Sequence, residues 1–131
     1  MKSLQRLVVP VFCGIFFGLG GAHSSAQSYP VKPIRFIVPF PAGGSGDIFA
    51  RLIALRLTEN LGEQVVIDNR GGVGGNIGYE VAARAAPDGY AVLFGSAPLA
   101  INVSLYRKLA FDPLKDFTAV SLLAETPNIL T

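Results

Sequence analysis

The chain has 131 residues, half of them hydrophobic, and a formal net charge of +2. This length fits one domain, and the apolar content is sufficient for a core. Its single cysteine, Cys13, and single histidine, His23, lie near the N-terminus, so the rest of the chain cannot form a disulfide, a thiolate or imidazole zinc site, or a catalytic unit that requires His or Cys.

The first 26 residues have the layout of a secretory signal peptide. Lys2 and Arg6 precede an apolar run over residues 7–19, and Ser24-Ser25-Ala26 supplies the small residues that a signal peptidase reads. We predict cleavage after Ala26; a membrane anchor is the alternative, but the run is shorter than the ~20 residues of a spanning helix. Cleavage would leave nine basic and nine acidic residues, so no basic field would attract nucleic acid.

Beyond the signal peptide, the sequence predicts strands and helices in alternation. Strands are predicted at residues 34–40, 65–67 and 90–94, and helices at 48–60, 76–86 and 99–109. Asp47 is predicted to cap the first helix, which should end near Gly62. Further strands are predicted at residues 120–124 and 128–131. Repeated strand–loop–helix units predict an α/β fold with a parallel sheet.

Two glycine-rich loops each follow a predicted strand and precede a predicted helix: residues 43–47, GGSGD, and residues 71–76, GGVGGN. Helix starts present unpaired N–H groups and a positive dipole end, which favour anions. Loops after parallel strands meet at one edge of the sheet, where Gly95-Ser96 is also expected. Phe49 and Ile77 stand where a dinucleotide fingerprint requires glycine, and neither loop has a P-loop lysine. The loops therefore predict a carboxylate site, with simple tight turns as the alternative.

We predict that a ligand carboxylate is held by backbone N–H groups of both loops together with a few side chains. The candidates are Phe40, Gly43, Gly44, Ser45, Gly46, Gly72, Gly74, Gly75, Asn76, Ser96 and Asn102. Phe40 could cover an apolar part of the ligand or complete the core, and Ser96 and Asn102 could donate to the ligand or cap the third helix. Asp47 would repel an anion if it faced the same cavity, and Arg70 could pair with the ligand or with Asp68.

The two loops also resemble motifs of a known family. Residues 38–47, VPFPAGGSGD, and 69–78, NRGGVGGNIG, resemble the loops of Bug-type periplasmic receptors of tripartite tricarboxylate transporters. Pro87-Asp88-Gly89-Tyr90 and residues 105–117 are similar to further motifs in the same order. Gly71, Val73 and Ala119 depart from the proline, alanine and proline usual in the family.

The resemblance implies a truncated parallel-sheet lobe of a two-lobed, type II-like periplasmic binding protein. Residues 27–118 would form the first part of lobe I, and residues 119–131 would begin the crossover into lobe II. It also implies a periplasmic receptor, monomeric at full length, that delivers a small carboxylate to membrane components. We expect no catalytic residue, no cofactor, no metal and no nucleic acid partner. The alternatives are an exported enzyme for an anionic substrate, with its catalytic groups elsewhere, and a fragment without function.

Overall fold

A computed structural model describes residues 28–125 of the chain. Its elements, in chain order, are β1 (Ile34–Val38), α1 (Ser45–Leu61), β2 (Val65–Asn69), a 3-10 turn (Val73–Gly75), α2 (Asn76–Ala83), β3 (Ala91–Leu93) and α3 (Ala97–Leu105). This alternation confirms the predicted α/β fold. The predicted signal peptide and its cleavage site lie outside the described residues.

The three strands form one parallel sheet in the order β2-β1-β3. Val38 at the end of β1 is opposite Asn69 at the end of β2, and Ile37 is opposite Leu93 at the end of β3. The carboxyl ends of all three strands therefore meet at one edge, as the sequence predicts. The loops that follow these strands lie at that edge.

The core lies around β1 because this strand is central in the sheet. Its alternate residues Phe36 and Val38 are buried with Ala50 and Ala54 of α1. The two alanines are four residues apart, so they share one helix face, and their small side chains permit close approach to the sheet. Ile37 points to the opposite face and is also fully buried. The sheet is covered on that side by α2, which contacts β1 and β3.

The start of α1 differs from the prediction. The helix begins at Ser45 with Gly44 as its N-cap in an extended conformation, so Asp47 lies within the first turn. The prediction of Asp47 as the cap was wrong, because its carboxylate accepts the N–H of Gly43, which precedes the helix. The predicted end near Gly62 is confirmed, since Gly62 adopts the left-handed conformation typical of a helix C-terminus.

The ends of other strands and helices also differ from the predicted ends. β1 stops at Val38 because Pro39 has no N–H to continue the ladder. The third helix begins at Ala97, where the following proline suits its first turn, and it ends before Tyr106, whose backbone is extended. The strand predicted at 120–124 is wrong: the described part of this segment pairs with no strand, and Val120 is exposed. The strand predicted at 128–131 lies outside the described residues.

Within residues 28–125, no helix is both long enough and apolar enough to cross a lipid bilayer.

Candidate ligand-binding site

Three loops follow the strands at the carboxyl edge of the sheet: loop 1 (residues 39–44), loop 2 (residues 70–75) and loop 3 (residues 94–96). The first residue of loop 2 is anchored to β1, because the N–H of Arg70 donates to the carbonyl of Val38 at 2.8 Å. The first residue of loop 3 is anchored likewise, with the N–H of Phe94 donating to the carbonyl of Ile37 at 2.9 Å. The structure therefore brings the predicted site residues of the three loops to one edge.

Each of the three helices begins at this edge without a capping side chain. The N-caps are Gly44, Gly75 and Ser96, and none of them makes a side-chain cap hydrogen bond. In α1 the first backbone bond runs from Ile48 to Gly44, so the N–H groups before Ile48 lack an intrahelical carbonyl. These donors and the positive ends of the helix dipoles form an environment that favours an anion.

The conformation of loop 2 depends on glycine at three positions and carries strain at a fourth. Gly72, Gly74 and Gly75 have φ of 123°, 64° and 91°, a region that glycine adopts without steric cost. Val73 between Gly72 and Gly74 has φ of 51°. A β-branched residue is a true outlier there, and such strain costs on the order of 1–3 kcal/mol. Tertiary contacts must therefore hold loop 2 in place.

Asp47 is almost fully buried beside loop 1 and accepts three hydrogen bonds. Its Oδ2 accepts the N–H of Gly43 at 2.8 Å and Nε of Arg51 at 2.9 Å, while its Oδ1 accepts Nδ2 of Asn69 at 2.9 Å. The bond from Arg51, followed by those from Gly43 and Asn69, lowers the pKa of Asp47 to about 2. Asp47 is therefore ionised at neutral pH, and the Arg51 guanidinium balances its charge. This pairing weakens the repulsion that an unpaired carboxylate would exert on an anion.

We expect the contribution of Asp47 to stability to disappear in acid. Its folded pKa lies below the ordinary value of 3.8, so folding favours the ionised form. That contribution is fully present above about pH 4 and is lost as the pH falls through about 2. The check is the thermal midpoint of the unmodified protein and of Asp47→Asn between pH 5 and pH 2. The difference between them should shrink across this window, and a constant difference would contradict the prediction.

Asn102 is buried and connects α3 to loop 2. Its Nδ2 donates to the carbonyl of Gly74 at 3.0 Å and to Oδ1 of Asn76 at 2.7 Å. Both hydrogens of this amide are therefore used within the protein, unlike the expectation that Asn102 donates directly to a ligand. Ser96 lies at the start of α3, and its Oγ is 3.0 Å from the hydroxyl of Tyr79.

Phe40 and Arg70 adopt the structural alternatives that the sequence left open. Phe40 is half-buried, packs against the core, and makes an edge contact with Phe94 at 6.3 Å between ring centroids. Arg70 donates from Nε to Asp68 at 2.8 Å, and Arg35 binds the same carboxylate. Burial opposes the ionisation of Asp68, but these two bonds prevail and hold its pKa below the usual value.

Sequence reasoning missed Asn69 and Tyr79 as residues of this edge, and it also missed the pairing of Arg51 with Asp47. Arg51 is exposed, but it pairs with Asp47 one turn earlier. Asp47 and Arg51 are an acid and a base four residues apart at the start of a predicted helix, so their pairing could have been predicted from the sequence. Asn69 could have been suspected because it ends a strand directly before a glycine loop.

An open parallel sheet with uncapped helix starts around its carboxyl edge defines the class: an α/β lobe suited to binding an anionic solute. The family model of the tripartite tricarboxylate transporter family receptor matches residues 49–131. The chain belongs to this receptor family, and the resemblance seen in the loop motifs is confirmed.

The relatives agree in sequence and in fold. Protein BugT of Bordetella pertussis is 45% identical over 132 residues, covering 98% of this chain and 40% of BugT. MatC from Rhodopseudomonas palustris, solved with bound malate, is 41% identical with a TM-score of 0.68, over 72% of this chain and 33% of MatC. The periplasmic binding protein BugD is 44% identical with a TM-score of 0.66, over 68% of this chain and 30% of BugD. The chain spans well under half the length of these proteins.

Proposed function

We propose that this chain supplies part of the first lobe of a periplasmic receptor that binds a small organic carboxylate. The observation that carries the proposal is the convergence of uncapped helix starts at one sheet edge. Two structures similar to this chain, both from Rhodopseudomonas palustris, contain carboxylates: malate in MatC, and adipate in a protein that is 40% identical with a TM-score of 0.63, over 66% of this chain and 29% of that protein. The same ligand class suits the loops of this chain.

In the proposed complex, one ligand carboxylate accepts backbone N–H groups of residues 45–46 and 72–74. The N–H groups of Gly43, Gly44, Gly75 and Asn76 already donate to oxygens of Asp47, Pro41, Gly72 and Val73 respectively. The Ser45 and Ser96 hydroxyls can add donors at the two sides. Each helix dipole contributes roughly 0.3–1 kcal/mol, and each charge-assisted hydrogen bond about 1.5–3 kcal/mol. Several together support a dissociation constant of about 1 μM. Because the donors are neutral, no basic side chain is needed at the site.

The whole protein would bind its ligand between two lobes and present the closed form to membrane components of a tripartite transporter. Residues 27–118 would form the first part of lobe I, and residues 119–131 would lead towards lobe II. Such a receptor performs no chemical step on its ligand and acts as a monomer after export to the periplasm.

The test is calorimetric titration of the full gene product with malate and adipate, and with the neutral dimethyl ester of each. We expect a dissociation constant of about 1 μM for at least one diacid and no binding of its ester. Absence of binding by every carboxylate tested would contradict the proposal.

A matched pair of variants locates the site. Ser45→Asp adds a negative charge at the first position of α1, where an acid favours the helix. We expect the variant to fold normally but to bind the diacid at least about ten-fold more weakly through charge repulsion. Ser104→Asp places the same charge on an exposed part of α3 and should leave affinity unchanged. Equal affinities of the two variants would exclude the start of α1 as the site.

A further inference from the structure

Two asparagine side chains hold the glycine loops of this edge by the same pattern of hydrogen bonds. Each comes from an element other than the loop, and its amide nitrogen donates to one loop carbonyl and to one side-chain oxygen near the start of a helix. The two amides are those of Asn69 at the end of β2 and Asn102 in α3. They act on loop 1 and loop 2 respectively.

Asn69 connects β2 to loop 1 and to α1. Its Nδ2 lies 3.2 Å from the carbonyl oxygen of Phe40 and 2.9 Å from Oδ1 of Asp47. Both neighbours can only accept, since one is a carbonyl and the other an ionised carboxylate, so the amide must direct its nitrogen towards them. Asp47 in turn accepts the N–H of Gly43. The amide therefore holds loop 1 directly at Phe40 and, through Asp47, at Gly43.

Asn102 connects α3 to loop 2 and to α2. Its Nδ2 donates to the carbonyl of Gly74 and to Oδ1 of Asn76, the first residue of α2. The side chain is 3% exposed, so water cannot readily replace these bonds. Gly74 follows the strained Val73, and both adopt positive φ. The amide holds the carbonyl of Gly74.

We propose that Asn69 and Asn102 are positioning residues, which hold the two glycine loops in the geometry that receives a carboxylate without touching it. This inference rests on the proposed carboxylate-binding function. Glycine loops have many accessible conformations, and ordering them upon binding weakens affinity. Bonds present before the ligand arrives remove that cost. The amides donate to carbonyl and side-chain oxygens, so they do not occupy the backbone N–H groups of residues 45–46 and 72–74, which bind the carboxylate in the proposed complex.

The test compares Asn69→Ala and Asn102→Ala with Asn60→Ala, a control at an exposed position near the end of α1. Each full gene product is titrated with malate and adipate under conditions where circular dichroism shows it folded. Loss of two hydrogen bonds should weaken binding roughly ten-fold or more in the first two variants and not in the control. Asn69→Leu is added because it is neutral and close to asparagine in shape but lacks the amide donor, and it should weaken binding as Asn69→Ala does.

A second readout separates positioning from general stability. Amide hydrogen exchange of the ligand-free protein should be faster at Gly43 in Asn69→Ala, and in Asn102→Ala at Gly75, whose N–H donates to Gly72 within loop 2, while the strands exchange at the unmodified rate. If Asn102→Ala does not fold, the Asn69 variants decide the result, since that side chain is only partly buried.

Unchanged affinity and unchanged loop exchange in the Asn69 variants would overturn the inference while leaving the proposed function intact. If the unmodified protein binds neither diacid, the proposed function fails instead. Faster exchange confined to the affected loop would then still support the positioning role, and unchanged exchange would refute it.

Discussion

Replacement of Tyr79 by alanine is expected to destabilise the protein by about 3–5 kcal/mol, the usual loss when a buried aromatic ring is deleted. The side chain is completely buried in α2. Its ring makes an edge contact with Phe111 at 5.7 Å and lies against Gly75, while its hydroxyl meets Ser96. Deletion would leave a cavity between α2, loop 2 and loop 3. Chemical denaturation of the purified protein measures the loss.

The control is Tyr79→Phe, which keeps the ring and removes only the contact with Ser96. It should cost no more than about 0.5–1.5 kcal/mol. Because loop 2 and loop 3 both rest on this residue, the alanine variant should also bind a carboxylate more weakly than the phenylalanine variant does. Equal stability of the two variants would show that the ring does not fill the space described here.

Replacement of Gly78 by alanine should also destabilise the protein and displace the start of α2. An added Cβ would lie 2.8 Å from Cα of Pro39 and 2.9 Å from the carbonyl oxygen of Arg70. Both are backbone atoms, so no side-chain rotation can relieve the collision, which costs about 1–3 kcal/mol. Better helix propensity returns at most ~1 kcal/mol. The expected net loss is up to ~2 kcal/mol, measured by chemical denaturation.

Gly95→Ala is the matched control, because the nearest atom to its added Cβ would be 3.8 Å away in the side chain of Leu99. Gly95 lies in loop 3 at the same edge of the sheet, so the substitution adds the same methyl group nearby without a collision. A variant at Gly78 as stable as the one at Gly95 would mean that α2 does not press on loops 1 and 2.

The contacts of Tyr79, Gly78 and the two asparagines show that the loops of this edge are held in place by neighbouring helices and strands. Each glycine loop has an internal backbone hydrogen bond, from Gly44 to Pro41 in loop 1 and from Gly75 to Gly72 in loop 2, and each is also held by other elements. Loop 1 depends on Asp47 and Asn69, and loop 2 on its neighbours in α2 and α3. Substitutions away from the ligand should therefore alter affinity through the loops, which distinguishes this site from one made of charged side chains.

Local sequence patterns were sufficient for the order of the strands and helices as far as α3 and for the sheet edge at which the site is proposed. The apolar run at residues 34–40 predicted a buried strand, which the structure has at Ile34–Val38, and the glycine segments identified the loops before α1 and α2. A parallel sheet followed from the alternation of strands and helices. These features depend on residues close together in the chain, so a single sequence contains them. Element ends were less well predicted, because the cap at Gly44 replaced the one expected at Asp47.

Only the tertiary structure decided what the polar side chains of this edge do. Asn102 meets Gly74, 28 residues away, and Asn69 meets Asp47, 22 residues away. An asparagine amide could donate to a ligand, cap a helix or hold a loop, and the sequence shows the same residue, asparagine, in all three cases. Which acceptor it meets depends on how separate helices and strands pack. The sequence by itself therefore determined which loops lie at the sheet edge where we propose that an anion binds, and tertiary packing determined which side chains contact those loops.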